Sequence, residues 1–154
     1  GYLLDLMIDS LHAEGVHSAL IDSGGDIIVS QAPPDSKGWL IQAAGLRPEE
    51  ENISELYLEN CAVTTSGDLN QYAEIEGVRY SHLVDPKLGK PTTRRISATV
   101  VAKRALDADA AATAAAIMGV EKTKTLFSKL PVEEIYFSWQ NASDSAPRFE
   151  RISR

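Results

Sequence analysis

The sequence predicts a mixed α/β domain, and three observations support that fold class. Of the 154 residues, 44% are apolar and 24% are charged, which suits a domain with a sizeable buried core. Two stretches, residues 2–11 and Ala105–Met118, are typical of helices. Short β-prone runs separated by Gly, Pro, Asp and Ser fill most of the remaining chain. No internal repeat or linker interrupts it, so we expect one domain over residues 1–154.

The predicted helices rest on apolar spacing and on alanine content. Within residues 2–11, the apolar side chains recur at helical intervals, at Leu3, Leu4, Met7, Ile8 and Leu11. Gly15 is expected to end this helix. The alanine-rich segment Ala105–Met118 has strong helix propensity and can pack closely on a sheet, and Gly119 should end it. A further helix is predicted over residues 121–129.

The predicted strands form a meander in the first third of the chain and a closing hairpin at its end. They cover residues 17–21, 26–30, 39–43, 56–65, 77–84, 96–102, 134–139 and 148–152. The apolar run 96–102 is expected to be central. An acidic loop over residues 47–52 separates two of the strands. This order of elements favours antiparallel pairing.

Composition excludes several classes of function. The formal net charge is −7 and the pI is near 4.9, so the clustered basic face of a nucleic-acid-binding protein is not expected. An anionic ligand would need local backbone N–H groups or a bound cation. The one cysteine, Cys61, excludes an internal disulfide and a cysteine-rich metal site, and its strand-like surroundings predict a buried thiol.

The ends of the chain give one further expectation. No apolar run approaches the ~18 residues of a membrane-spanning helix, and the sequence does not open with a signal peptide. Because the first residue is Gly1 rather than Met, we expect a segment to precede it in the natural protein.

Asp109 and Thr113 are candidate metal ligands. They lie four residues apart in the alanine-rich helix, so their side chains share one face near its amino-terminal end. A carboxylate and a hydroxyl are hard oxygen ligands of the kind that Mg²⁺ uses. The alternative is structural: Asp107 or Asp109 caps the helix, and Thr113 fills a gap in the packing.

His82 is a candidate general base. Strand alternation places Tyr80, His82 and Val84 on one face and Ser81 on the other, so Ser81 and His82 do not form a nucleophile–base pair. A histidine beside a loop can accept a proton near neutral pH. It can equally be a hydrogen-bonded structural residue.

Two glycine-containing segments could approach a phosphate group. One contains Gly24 and Gly25, and the other contains Thr65, Ser66 and Gly67. Glycine lets backbone N–H groups come close to an anion, although each segment is equally plausible as a plain turn. Neither contains G-x-G-x-x-G or a Walker pattern, so the familiar nucleotide-binding fingerprints are excluded.

Taken together and in order, these motifs resemble the carboxyl-terminal half of the ApbE-type FAD:protein FMN transferases. Five blocks carry the resemblance: Gly1-Tyr2 with Asp5, Ser23-Gly24-Gly25-Asp26-Ile27, Ala62-Val63-Thr64-Thr65-Ser66-Gly67-Asp68, Tyr80-Ser81-His82-Leu83-Val84-Asp85-Pro86 with Gly89, and Ala108-Asp109-Ala110-Ala111-Ala112-Thr113. They cover nearly the whole chain. The resemblance implies an ApbE-like, T-fold-related α+β fold, with an antiparallel-rich sheet and helices packed on one side.

The resemblance also implies an activity and roles for individual residues. Family members transfer FMN from FAD to a protein threonine and release AMP, in a reaction that depends on Mg²⁺. By resemblance, Asp109 and Thr113 bind Mg²⁺, Val84 lies against the flavin nucleotide, and His82 is the base for the acceptor hydroxyl. Ala112 stands where some members carry a second aspartate, and Leu69 replaces a tyrosine that is frequent in the family.

The implied partners are FAD, an acceptor flavoprotein with a target threonine, and the amino-terminal half of the family fold. The resemblance places such proteins in the periplasm or cell envelope of bacteria. Two alternatives remain open: a metal-dependent FAD pyrophosphatase, and a non-catalytic flavin-binding or scaffold module.

Overall fold

The computed structural model describes residues 1–43, 54–69, 71–141 and 143–154. The predicted acidic loop, residues 47–52, lies outside the described residues. Three α-helices are present in the described part: α1 (Tyr2–Ala13), α2 (Ala105–Met118) and α3 (Val120–Leu126), the last continued by a 3₁₀ turn at Phe127–Lys129. None of the described helices is both long enough and apolar enough to cross a membrane.

Twelve strands are described, and six of them form the main sheet. The strands are β1 (Leu20–Ser23), β2 (Asp26–Val29), β3 (Trp39–Ala43), β4 (Ser54–Leu58), β5 (Cys61–Gly67), β6 (Tyr72–Ile75), β7 (Val78–Ser81), β8 (Val84–Asp85), β9 (Lys90–Pro91), β10 (Arg95–Ala102), β11 (Glu134–Gln140) and β12 (Arg148–Ser153). The main sheet has the order β1-β2-β5-β10-β11-β12, and all its pairs are antiparallel. β3–β4, β6–β7 and β8–β9 are separate two-stranded ribbons.

The helices pack on one face of the main sheet. The larger buried cluster contains Leu4 and Ile8 of α1, six alanines of α2, and the inward side chains of β2, β5, β10 and β11. The opposite face carries a smaller cluster that includes Val63 and Cys61, against which β3 and β4 pack. The predicted mixed fold, with an antiparallel-rich sheet and helices on one side, is therefore confirmed.

Several predicted elements are confirmed at their boundaries. α2 has the bounds that its alanine content predicted, and Gly119, with φ of +81°, ends it. Gly15 likewise follows α1 with φ of +83°. β10 is central, between β5 and β11, and the closing hairpin β11–β12 forms as expected.

Other predictions need correction. In α1, Leu3 and Met7 are 71% and 50% exposed, so the buried stripe is narrower than the apolar spacing predicted. The run 56–65 is not one strand, because Asn60 adopts φ of +51° and turns the chain between β4 and β5. The run 77–84 is also broken: β7 ends at Ser81 and β8 begins at Val84.

Candidate functional site

Helix α2 holds Asp109 and Thr113 on a rigid support. Its inward residues are fully or almost fully buried alanines, which let the helix lie close to β5 and β10. Its first N–H groups are capped from another element, since the carboxylate of Asp5 accepts from the backbone N–H of Ala105 at 2.8 Å and of Leu106 at 3.1 Å. The predicted alternative cap by Asp107 or Asp109 is therefore wrong, whereas Asp107 does lie in the first turn of α2, where its charge complements the helix dipole.

Asp109 lies close to a second carboxylate, that of Asp26. Oδ2 of Asp109 lies 2.8 Å from the Gly1 nitrogen, and Oδ2 of Asp26 lies 3.7 Å from the same atom. Burial raises the pKa of Asp26, and the negative charge of Asp109 adds to this effect. The hydroxyl group of Thr64, which faces Asp26, lowers the pKa of Asp26 instead. Its geometry does not meet the usual criteria for a hydrogen bond. The two carboxylates are therefore close enough for the charge of Asp109 to act on Asp26.

Thr113 connects the helix to strand β5. Its Oγ1 atom lies 3.1 Å from Oγ of Ser66, within hydrogen-bonding distance. The neighbouring Thr65 points to the other face of the sheet, where its hydroxyl lies 2.7 Å from that of Thr99. The carboxyl end of β5, an interior strand of the main sheet, therefore presents hydroxyl groups to both faces, and Ser66 contacts the helix that carries Asp109.

A cavity of about 300 Å³ lies at this end of β5, and most of the predicted site residues line it, whereas Asp109 and Thr113 do not. Six of them line it: Gly24, Gly25, Thr65, Ser66, Gly67 and His82. At Gly67, a side chain would collide with the backbone, because a Cβ atom would lie 2.5 Å from the carbonyl oxygen of Ile96. The structure therefore brings residues from β1–β2, β5 and the segment after β7 to one place.

His82 has a defined tautomer. Its Nδ1 atom lies 3.1 Å from the carbonyl oxygen of Gln71, and its backbone N–H donates to the same oxygen at 3.1 Å. Because a carbonyl oxygen can only accept, this contact assigns the proton of the neutral ring to Nδ1 and leaves Nε2 as the acceptor. His82 is exposed, whereas its neighbours Ser81 and Leu83 are buried. The predicted alternation of buried and exposed side chains is therefore present, although the strand itself ends at Ser81.

Val84 is not among the residues that line this cavity. It is 49% exposed and pairs with Pro91 in the β8–β9 ribbon. Its predicted contact with a flavin nucleotide therefore stays a prediction.

A buried charge cluster supports the segment that carries His82. Oδ2 of Asp68, a residue that is almost fully buried, lies 2.9 Å from Nε of Arg79 and 3.0 Å from Nε of Arg95. The Arg79 guanidinium also donates to the carbonyl oxygens of Asp68 and Leu69 and stacks on Tyr72 at 3.2 Å from the ring centre. We did not expect this cluster from the sequence, because it joins residues from three separate segments.

A larger cavity, of about 1040 Å³, lies where β10, β11 and the junction of α2 with α3 meet. It contains none of the nine predicted site residues. Two of its arginines have acidic partners: Arg95 pairs with Asp68, and Arg148 pairs with Asp144 at 2.7 Å. The smaller cavity is therefore the better candidate site, because polar groups from several elements converge beside it.

The chain has relatives that are named FAD:protein FMN transferase. The Vibrio cholerae protein is 33% identical over 124 residues, which are 79% of this chain and 37% of the relative. The Treponema pallidum protein is 32% identical over 150 residues, 89% of this chain and 41% of the relative. The chain therefore spans less than half the length of these relatives.

Solved structures agree with this relationship. The apo form of the Pseudomonas stutzeri flavinyl transferase ApbE matches with a TM-score of 0.80 and 31% identity, over 97% of this chain and 46% of that protein. The ApbE protein of Thermotoga maritima matches with a TM-score of 0.83 and 28% identity, over 98% of this chain and 48% of its own. The model of the ApbE family matches residues 1–137. By sequence and by fold, this chain belongs to the ApbE family.

Proposed function

We propose that the protein containing this chain transfers FMN from FAD to a threonine hydroxyl of an acceptor protein, releases AMP, and requires Mg²⁺. The observation that carries the proposal is the Ser66–Thr113 hydrogen bond, which joins the carboxylate-bearing helix to the cavity that contains His82. Family membership and the names of the relatives support flavin transfer as the reaction class.

The donor set fits a small hard cation. Asp109 offers carboxylate oxygens and Thr113 a hydroxyl, which are ligands that Mg²⁺ accepts together with water and phosphate oxygens. Among the described residues, no group of three or more His, Cys, Asp and Glu side chains could hold a metal alone, so waters and the substrate would complete the shell. When bound, Mg²⁺ would neutralise charge on the FAD diphosphate.

The protein groups have distinct tasks in this reaction. The turn at Gly24 and Gly25, where an added Cβ atom would meet nothing within 4 Å, leaves room for the phosphates to approach the backbone. His82 accepts the proton of the threonine hydroxyl at Nε2, because Nδ1 is committed to Gln71. The threonine oxygen then bonds to the FMN phosphorus, the bond from that phosphorus to the bridging oxygen breaks, and AMP leaves. Most of the catalysis is positioning and charge stabilisation.

The deciding variant is Asp109→Asn in the intact protein, with Asp107→Asn as a matched control on the same helix. With FAD, Mg²⁺ and a threonine-bearing acceptor, Asp109→Asn should lower flavin transfer more than about a hundredfold, because it removes a charged metal ligand. Asp107→Asn should leave the rate nearly unchanged. Mass spectrometry of the acceptor and chromatography of AMP provide the two readouts.

The same assay separates the other candidate functions. Release of FMN and AMP with an unmodified acceptor would replace the transferase with an FAD pyrophosphatase. Unchanged flavinylation in cells that carry only Asp109→Asn would instead leave a non-catalytic flavin-binding or scaffold module.

A further inference from the structure

The carboxylate of Asp68 is a buried charge outside the set of groups that act in the proposed reaction. The residue is 2% exposed, and its Oδ2 atom lies 2.9 Å from Nε of Arg79 and 3.0 Å from Nε of Arg95. Its Oδ1 atom has no hydrogen-bond partner among the described residues. A buried carboxylate that is satisfied on one oxygen only contributes little to stability. This arrangement therefore points to a role in positioning.

Asp68 is tied to the centre of the main sheet. It directly follows β5, and its backbone N–H donates to the carbonyl oxygen of Ile96 at 3.2 Å. Its carboxylate meets the side chain of Arg95, which comes from the same strand, β10. Because both its backbone and its side chain are held by this central strand, Asp68 offers Arg79 a fixed anchor.

Arg79 connects this anchor to the segment that precedes β6. Its guanidinium donates to the carbonyl oxygens of Asp68 and Leu69 and lies 3.2 Å from the centre of the Tyr72 ring. A planar guanidinium can make such contacts at the same time, whereas a point charge cannot. Gln71 lies between the residues that Arg79 contacts, so their position determines where its carbonyl group points.

The carbonyl oxygen of Gln71 is the group that orients His82. Tyr72 lies opposite Ser81 in the β6–β7 pairing, which places Gln71 beside His82. The backbone nitrogen and the ring Nδ1 of His82 each lie 3.1 Å from this oxygen, and the ring has no other hydrogen-bond partner in the described part of the chain. If this carbonyl moved, either ring nitrogen could carry the proton.

We propose that Asp68 is a positioning residue for the base of the flavin transfer. By holding Arg79, it fixes the position of the Gln71 carbonyl group. That carbonyl keeps the ring proton of His82 on Nδ1, so that Nε2 stays available to the acceptor hydroxyl. This inference rests on the proposed function, in which His82 accepts the proton of that hydroxyl.

The first test measures the tautomer of His82 directly, by ¹⁵N NMR of the intact protein with labelled histidine. At about pH 8.5 the imidazole rings are neutral, so each tautomer has one protonated and one bare nitrogen. The spectrum of His82→Gln assigns the signals. We expect the Nδ1–H form in the unchanged protein and loss of that preference in Asp68→Asn. Asp144→Asn is the matched control and should keep the Nδ1–H form, because the Asp144 side chain is also largely buried and pairs with an arginine.

A double-mutant cycle measures whether Asp68 acts through His82. Asp68→Asn alone should lower the maximal rate of flavin transfer about ten- to a hundredfold, because a misplaced catalytic group loses much of its effect. In a His82→Gln background the same substitution should cost less than about twofold, since the group that it positions is gone. The KM for FAD should not change, and neither should the Kd for Mn²⁺ alone, as a probe of the cation site. Asp144→Asn should cost less than about twofold in both backgrounds.

Arg79→Lys gives a second test if Asp68→Asn does not fold. The lysine keeps the charge that pairs with Asp68, but it cannot hold two carbonyl oxygens and the Tyr72 ring together. It should therefore shift the tautomer of His82 in the same direction, with a smaller loss of rate.

The outcomes separate this inference from the function on which it rests. If Asp68→Asn and Arg79→Lys keep the Nδ1–H form, or lower transfer equally with and without His82, the cluster is only structural and the inference is overturned while flavin transfer stands. If Asp144→Asn shifts the tautomer as well, the effect is a general loss of charge and the inference is also overturned. If His82→Gln transfers FMN normally, the base of the proposed function is wrong and the role of Asp68 fails with it.

Discussion

The candidate site has two sides that are held in place by different forces: a helix side, formed by α2, and a hairpin side, formed by the β6–β7 ribbon and His82. On the helix side, α2 carries Asp109 and Thr113, and its inward alanines are buried against the sheet. On the hairpin side, β6 is exposed along its whole length, and β7 leads to the exposed His82. Dispersion and apolar burial position the first side, whereas ion pairs and hydrogen bonds position the second.

The difference suits the two tasks that we assign to these sides. Metal ligands must be held within a fraction of an ångström, and close-packed helices and strands provide that rigidity. A base that meets a protein acceptor must be accessible, and exposed segments carry such residues. His82 is nevertheless oriented, because both its backbone N–H and its ring bind the carbonyl oxygen of Gln71.

The largest expected effect on stability tests the packing of the helix side. Ala112→Asp should reduce the free energy of unfolding by about 3–5 kcal/mol, because it places an uncompensated charge at a fully buried position. Ala110→Asp is the matched control, since Ala110 is exposed on the same helix, and it should cost no more than about 1 kcal/mol. Urea denaturation of the intact protein measures both. Equal losses would show that α2 is not held by close packing.

The next effect concerns chemistry on the hairpin side without loss of stability. His82→Gln should lower flavin transfer about 10²- to 10⁴-fold, the range typical of a general base. Mn²⁺ affinity and the unfolding temperature should not change, because the side chain is exposed and is separate from the carboxylates. His17→Gln, at another exposed histidine, is the control and should behave as the unchanged protein. Normal transfer by His82→Gln would remove His82 from the mechanism.

The sequence predicted the helix side better than the hairpin side. The bounds of α2 and the shared face of Asp109 and Thr113 follow from local spacing, so they could be predicted. The cap of α2 by Asp5 could not, because it joins residues 100 positions apart. Asp26 lay inside a motif that we quoted, yet its position opposite Thr64 emerges only from the register of β2 and β5.

The hairpin side was predicted less well for a related reason. The alternation of residues 77–84 suggested a continuous strand, whereas the chain leaves β geometry at His82. Just before this point, the backbone N–H of Ser81 donates a hydrogen bond to the carbonyl oxygen of Thr92 at 2.8 Å. The Asp68 cluster depends on Arg79 and Arg95, which come from different strands. Long-range pairings of this kind leave little trace in local patterns.

The smallest expected effect tests whether charge geometry holds the hairpin. Arg79→Lys keeps the charge but loses the planar group that stacks on Tyr72 and reaches two carbonyl oxygens, so it should cost about 1–2 kcal/mol. Arg148→Lys, at an exposed arginine that pairs with Asp144, should cost less than about 0.5 kcal/mol.

Hydrogen exchange locates the effect of Arg79→Lys within the chain. Amides of β6 and β7 should exchange faster, while those of α2 should keep their protection, because packing rather than Arg79 holds the helix. The rate of flavin transfer should fall because His82 is less well oriented, whereas Mn²⁺ affinity should be unchanged. Faster exchange in α2 as well would mean that the two sides unfold as one unit, and the contrast between a packed metal side and a charge-held base side would then be wrong.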